Sequence, residues 1–131
     1  MSRDYHSDVL GSFCEKIAKK FGYENVLLHN GGTESTEATV KLVRRWGVEV
    51  KGINNSDVVV LFPNHAYWGG GLGGLSLWEG VTGYGPLEGL KLEQVKYNDV
   101  EALEQKFKEN PNIAGYLVEP VQAHGGIIIP N

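Results

Sequence analysis

Gly31, Gly32 and Thr33 are the residues whose types and spacing are best suited to binding an anion. They precede a segment in which apolar residues recur at helical spacing. Glycines let the backbone bend tightly and approach a ligand, and the free N–H groups of a first helical turn converge on an anion. The run therefore predicts a site for a phosphorylated cofactor. An ordinary glycine turn with a hydroxyl cap is the alternative interpretation.

A carboxylate, Glu119, directly follows the apolar run Ile113–Val118. That run predicts a central strand, and open α/β sheets place ligand contacts just beyond the carboxyl ends of their strands. Glu119 is therefore a candidate ligand contact, with a solvated strand-end carboxylate as the alternative.

Other kinds of chemistry have less support. Glu34 and Glu37 fall on the first turn of the predicted helix, where carboxylates favour the helix dipole whatever the function, so we interpret them as caps or core-edge contacts. Ser35 and Ser76 lie in no nucleophile-elbow or triad pattern. A metal site is not expected, because no ligand spacing connects the histidines, His6, His29, His65 and His124.

The elements that must position these residues alternate between helix and strand. The pattern predicts a helix over Ser7–Lys20 stopped by Gly22, a short buried strand or extended piece over Val26–Leu28, and a second helix after the glycine turn that ends at Gly47. Later elements are a strand covered on both faces at Val58–Phe62, a strand over Leu90–Val95, a helix from Val100 to Lys108 capped by Asn98 or Asp99, and a strand over Ile113–Val118. This order indicates one α/β domain, with helices on both faces of a parallel or mixed sheet.

Composition limits the partners. The 131 residues carry a formal charge of -4 with no basic tract, which argues against nucleic acid and membrane surfaces and favours a small molecule. The single cysteine, Cys14, suits a reducing compartment. No apolar run is long enough to span a membrane and the N-terminus has no signal-peptide core, so we expect a cytoplasmic protein, or one of an organelle matrix if a targeting segment lies upstream.

The run from Asn30 to Ala38 resembles the phosphate-binding segment of the class III, pyridoxal-phosphate-dependent aminotransferases, and most closely that of the ornithine aminotransferases. Further matching segments follow in the family's order: Tyr67-Trp68-Gly69, Tyr84-Gly85-Pro86, Tyr97-Asn98-Asp99 and Glu119-Pro120-Val121-Gln122. The resemblance covers residues 1–131. It implies the N-terminal portion of the large domain of an aspartate-aminotransferase-like, fold type I enzyme that is a homodimer when complete.

The resemblance also implies roles for individual residues. Gly32 and Thr33 match the residues whose backbone amides hold the phosphate of pyridoxal 5'-phosphate. Tyr67 matches the aromatic that stacks on the pyridine ring, with Trp68 beside it in the cofactor site. Glu119 matches a residue beside the ring. For Tyr67, an aromatic that fills the edge of the core is the alternative.

No catalytic residue is nominated. In the family, the Schiff-base lysine and the acid at the pyridine nitrogen lie downstream of the segment that this chain matches, and the lysines present fall on polar helix faces. The complete protein is expected to transfer an amino group from ornithine or another omega-amino donor to a 2-oxo acid. The 131-residue chain alone is expected to be inactive.

Two positions depart from the ornithine type. Gly70 stands where those enzymes have an arginine, and His124 stands where they have a glutamate, so the amino donor is left open. A diverged, non-catalytic paralogue and a different phosphate-binding α/β domain remain alternatives. The second would need an acidic ribose contact about 20 residues past the turn, for which Glu49 and Asp57 are poor matches.

Overall fold

A three-stranded parallel sheet lies at the centre of the computed structural model, which describes residues 5–76 and 91–131. β1 (Val59–Pro63) pairs on one side with β2 (Lys91–Val95) and on the other with β3 (Ile113–Tyr116). The helices are α1 (Asp8–Phe21), α2 (Gly32–Glu49), α3 (Leu72–Ser76) and α4 (Val100–Glu109). The Tyr84-Gly85-Pro86 segment lies outside the described residues.

Both faces of β1 are covered. Val60 and Phe62 pack with Val40 of α2, whereas Val59 and Leu61 face the other side and pack near Leu103 of α4. All five residues of β1 are buried, as expected for a β-branched apolar strand between two helical layers. The predicted three-layer α/β arrangement is therefore confirmed.

The ends of two helices follow the sequence signals. α1 ends before Gly22, which adopts the left-handed conformation with φ 75°. α4 is capped by Asp99, whose Oδ1 accepts a hydrogen bond of 2.9 Å from the N–H of Ala102. Between its two ends α1 has no buried residue, and its Val9, Phe13 and Phe21 are exposed, so the described residues leave its apolar face uncovered.

Two local predictions need correction. Of the two forms expected for Val26–Leu28 the strand is not formed, and the expected burial is wrong, because Leu27 and Leu28 are exposed. Gly47 does not end α2, which continues to Glu49. Gly47 is instead a buried contact point, because a Cβ there would lie 2.8 Å from Ala114 Cβ and 3.3 Å from Val58 Cγ1. The glycine marks the close approach of α2 to the sheet and not a helix stop.

Replacing Gly47 with alanine should destabilise the protein by about 1–3 kcal/mol, because the added methyl group overlaps the sheet. Gly11 is the matched control: it lies inside exposed α1, and nothing stands within 4 Å of a Cβ placed there. Gly11→Ala should stabilise its helix by about 0.5–1 kcal/mol. The midpoints of thermal unfolding of both variants and the parent measure this. A Gly47→Ala midpoint at or above the parent's would contradict the close packing.

Candidate functional site

The N-terminus of α2 presents free backbone donors. Gly31 is the N-cap residue and has an extended backbone. As a glycine it has no side chain that could accept a hydrogen bond from the first turn of the helix. Ser35 is the first residue whose N–H makes a backbone hydrogen bond of the helix, to Gly31 O at 3.1 Å. Within residues 5–76 and 91–131, the N–H groups of Gly32, Thr33 and Glu34 donate no hydrogen bond, although the Glu34 carboxylate lies near the turn, with its Oε2 3.1 Å from the position of a Cβ on Gly31. Three donors and the positive end of an 18-residue helix therefore point outward at one place.

The turn after β1 is docked onto this helix start. Gly69 adopts φ 85°, and a Cβ on it would lie 2.6 Å from Thr33 Oγ1 and 3.2 Å from Thr33 Cα. Only glycine combines this conformation with this approach. The contact places Tyr67 and Trp68 within two residues of the point where the turn meets the predicted phosphate site.

The carboxylate of Glu37, on α2, binds the segment that follows the same turn. Its Oε1 accepts hydrogen bonds from the N–H groups of Gly73, at 2.7 Å, and of Gly74, at 3.2 Å. These N–H groups belong to the start of α3, so a residue of α2 caps the following helix. The interpretation of Glu37 as a cap or core-edge contact holds, but the helix that it caps is α3 rather than its own.

Tyr67 and Glu119 meet at the carboxyl edge of the sheet. The N–H of Tyr67 donates to Glu119 Oε2 at 3.1 Å. The side chain of Tyr67 is exposed, and its ring lies 5.2 Å from that of His124 with an interplanar angle of 30°. Glu119 follows β3, which is an edge strand of the described sheet and not the central strand that was expected.

Trp68 has a different environment. Its indole packs against the core cluster between β1 and α2, which includes Val60 and Phe62. The indole Nε1 is buried and has no hydrogen-bond partner in the part of the chain that the structure describes. These contacts support the turn that carries Tyr67. A direct contact of Trp68 with a cofactor remains a prediction.

Comparison with known proteins identifies the family. The sequence model of the family described as aminotransferase class-III matches residues 1–131 of this chain. The chain belongs to the class-III aminotransferase family. It is 43% identical to an ornithine aminotransferase of Bacillus subtilis over 98% of its length, and 40% identical to the mitochondrial ornithine aminotransferase of Rattus norvegicus over 99%.

A solved structure gives the same result. An ornithine aminotransferase of Toxoplasma gondii, crystallised in the presence of oxidised glutathione and showing partial occupancy of PLP at its active site, matches the whole chain at 37% identity with a TM-score of 0.90. The chain covers 31% of that structure, and 32% and 30% of the Bacillus and rat proteins. It thus spans about a third of the length of these class-III aminotransferases.

The structure brings together most of the residues nominated from the sequence. Gly32 and Thr33 lie at the helix start, Tyr67 and Glu119 are hydrogen bonded at the sheet edge, and Gly69 joins the two groups through Thr33. Their contacts with a cofactor remain predictions. Sequence reasoning missed the use of Gly69, for which a glycine after two aromatics was the available signal, and the ring contact between Tyr67 and His124, for which no local pattern exists.

Proposed function

We propose that the full-length protein is a pyridoxal-phosphate-dependent aminotransferase that moves an amino group from ornithine or another omega-amino donor to a 2-oxo acid. The observation that carries the proposal is the docking of Gly69 onto Thr33. It joins a helix start with unpaired backbone donors to a turn with an exposed aromatic ring, and a phosphorylated, planar cofactor would use both.

The residues present fit pyridoxal 5'-phosphate. The N–H groups of Gly32 and Thr33 would hold its phosphate, because backbone N–H groups at the start of α2 are unpaired. The exposed glycines at this point would let the phosphate approach the backbone closely. Tyr67 would stack on the ring. Glu119 would lie beside the ring, its carboxylate held in place by the N–H of Tyr67. When bound, the cofactor supplies an electron-accepting ring for chemistry at an amino carbon.

The remaining catalytic groups would come from outside the matched segment, because transamination needs a lysine and an acid that the family carries further along its chain. We further propose that the full-length protein is a homodimer. Its proposed location is the cytoplasm or an organelle matrix. Among the described residues, no helix is long and apolar enough to cross a membrane. A different phosphate-binding α/β domain is not favoured, because the family match extends over the whole chain.

The amino donor is open to a direct assay. Purified full-length protein is supplied with pyridoxal 5'-phosphate, 2-oxoglutarate and one donor at a time: ornithine, acetylornithine or 4-aminobutyrate. We expect cofactor-dependent formation of glutamate with at least one donor. Because Gly70 and His124 replace the arginine and glutamate of the ornithine type, ornithine is not required to be the best of the three.

Two other outcomes are informative. Binding of the cofactor with no turnover of any donor would favour the non-catalytic paralogue. Failure to bind pyridoxal 5'-phosphate, while a nucleotide binds instead, would favour the other phosphate-binding domain and contradict the proposal.

A further inference from the structure

Three polar residues form a connected set of hydrogen bonds next to Tyr67 and Glu119. Asn64, Tyr97 and Gln122 each come from the segment that follows a different strand of the sheet. Asn64 Oδ1 accepts from the N–H of Tyr97 at 2.9 Å, and Asn64 O accepts from Gln122 Nε2 at 2.7 Å. We call this set the three-strand brace, since it joins the ends of β1, β2 and β3.

The three-strand brace reaches both candidate site residues. The hydroxyl of Tyr97 donates to the main-chain O of Glu119 at 2.8 Å, and Tyr97 is buried. Asn64 lies three positions before Tyr67 in the same turn. Glu119 is therefore held at its backbone by Tyr97 and at its carboxylate by Tyr67.

Gln122 is the third residue of the three-strand brace. It is fully buried, and its backbone N–H and O are paired with Ile128 at 3.0 and 2.9 Å. Its side-chain amide is bonded at one atom only: Nε2 donates to Asn64 O, whereas the buried Oε1 has no hydrogen-bond partner among the residues that the structure describes. Losing the Nε2 bond would leave a second buried polar atom unpaired, so this bond holds its partner in place. Here the partner is the carbonyl of Asn64, on the turn that leads to Tyr67.

We propose that Asn64, Tyr97 and Gln122 are positioning residues. They hold Tyr67 and Glu119 in the positions that contact with the cofactor ring requires. The proposal rests on the proposed function for the identity of the ring. Tyr67 and Glu119 lie beyond the ends of their strands, where the hydrogen bonds of the sheet no longer constrain them. The three-strand brace supplies that constraint from side chains.

The test is Tyr97→Phe in the full-length protein, with Tyr116→Phe as the matched control. Tyr116 is a half-buried tyrosine of β3 and makes no side-chain hydrogen bond among the residues that the structure describes. Amide hydrogen exchange is followed in a peptide spanning residues 64–69, with β1 as an internal reference. We expect exchange at the Tyr67 amide to rise about threefold to tenfold in Tyr97→Phe, in line with the loss of one buried hydrogen bond, and to be unchanged in Tyr116→Phe.

Cofactor binding is measured on the same samples by visible absorption and circular dichroism. The dissociation constant of pyridoxal 5'-phosphate should rise by a similar factor in Tyr97→Phe only, and the circular dichroism of the bound ring should change. Asn64→Asp keeps an acceptor for the N–H of Tyr97 and should behave as the parent, whereas Asn64→Leu should match or exceed Tyr97→Phe.

Unchanged exchange at Tyr67, or faster exchange with parental affinity and circular dichroism, would overturn the positioning role while leaving the proposed function intact. If the parent protein binds no pyridoxal 5'-phosphate, the proposed function fails. Hydrogen exchange then still decides whether the three-strand brace holds Tyr67 and Glu119.

Discussion

Gly69→Ala is expected to lower the affinity for pyridoxal 5'-phosphate by about 5- to 150-fold. The alanine methyl would lie 2.6 Å from Thr33 Oγ1 on a backbone with φ 85°. A non-glycine residue in such a conformation costs about 1–3 kcal/mol, and each 1.4 kcal/mol is a tenfold change in an equilibrium constant. The strain is relieved only if the turn moves off Thr33, which separates Tyr67 from the phosphate site.

The neighbouring glycine provides the control. Gly70 is exposed, and a Cβ placed on it has nothing within 4 Å. Titration of each variant with pyridoxal 5'-phosphate, followed by visible absorption, compares the two positions. Gly70→Ala should bind as the parent does. Equal affinities for Gly69→Ala and Gly70→Ala would mean that the contact between Gly69 and Thr33 does not shape the site.

Gly32→Pro is expected to fold and yet to lose affinity for the cofactor by about 10- to 150-fold. Gly32 is the first residue of α2, a position that proline favours, and the extended backbone of Gly31 suits a following proline. The substitution therefore removes one N–H group with little effect on the helix. A hydrogen bond to a charged group contributes about 1.5–3 kcal/mol, which sets the expected range.

Gly32→Ala separates the N–H group from the glycine itself. It keeps the donor, and nothing lies within 4 Å of the added Cβ. Its affinity should stay close to the parent value. If Gly32→Pro retains the cofactor as well as Gly32→Ala does, the amide of Gly32 is not a phosphate ligand.

Much of the scaffold could be predicted because its signals are local. The β-branched run around Val60 indicates a strand covered on both faces, and Asp99 and Gly22 mark helix ends through capping chemistry that depends only on neighbouring residues. The family resemblance supplied the order of the site residues, and the structure places Tyr67, Glu119 and Thr33 in one region.

The errors and omissions arise where distant segments meet. Gly47 has the sequence signature of a helix stop, yet its role is set by Ala114 on a strand far along the chain. The hydrogen bonds of Gln122 and Tyr97 join residues that are 58 and 22 positions apart. No spacing rule links such pairs, so only the folded chain reveals that they support the site.

The position of pyridoxal 5'-phosphate in a crystal structure of the full-length protein grown with the cofactor tests the central claim most directly. We expect the phosphate oxygens within about 3 Å of the N–H groups of Gly32 and Thr33, with the ring against Tyr67 and Glu119 beside it. A phosphate bound away from the start of α2, or a ring that does not contact Tyr67, would contradict the assignment of this site.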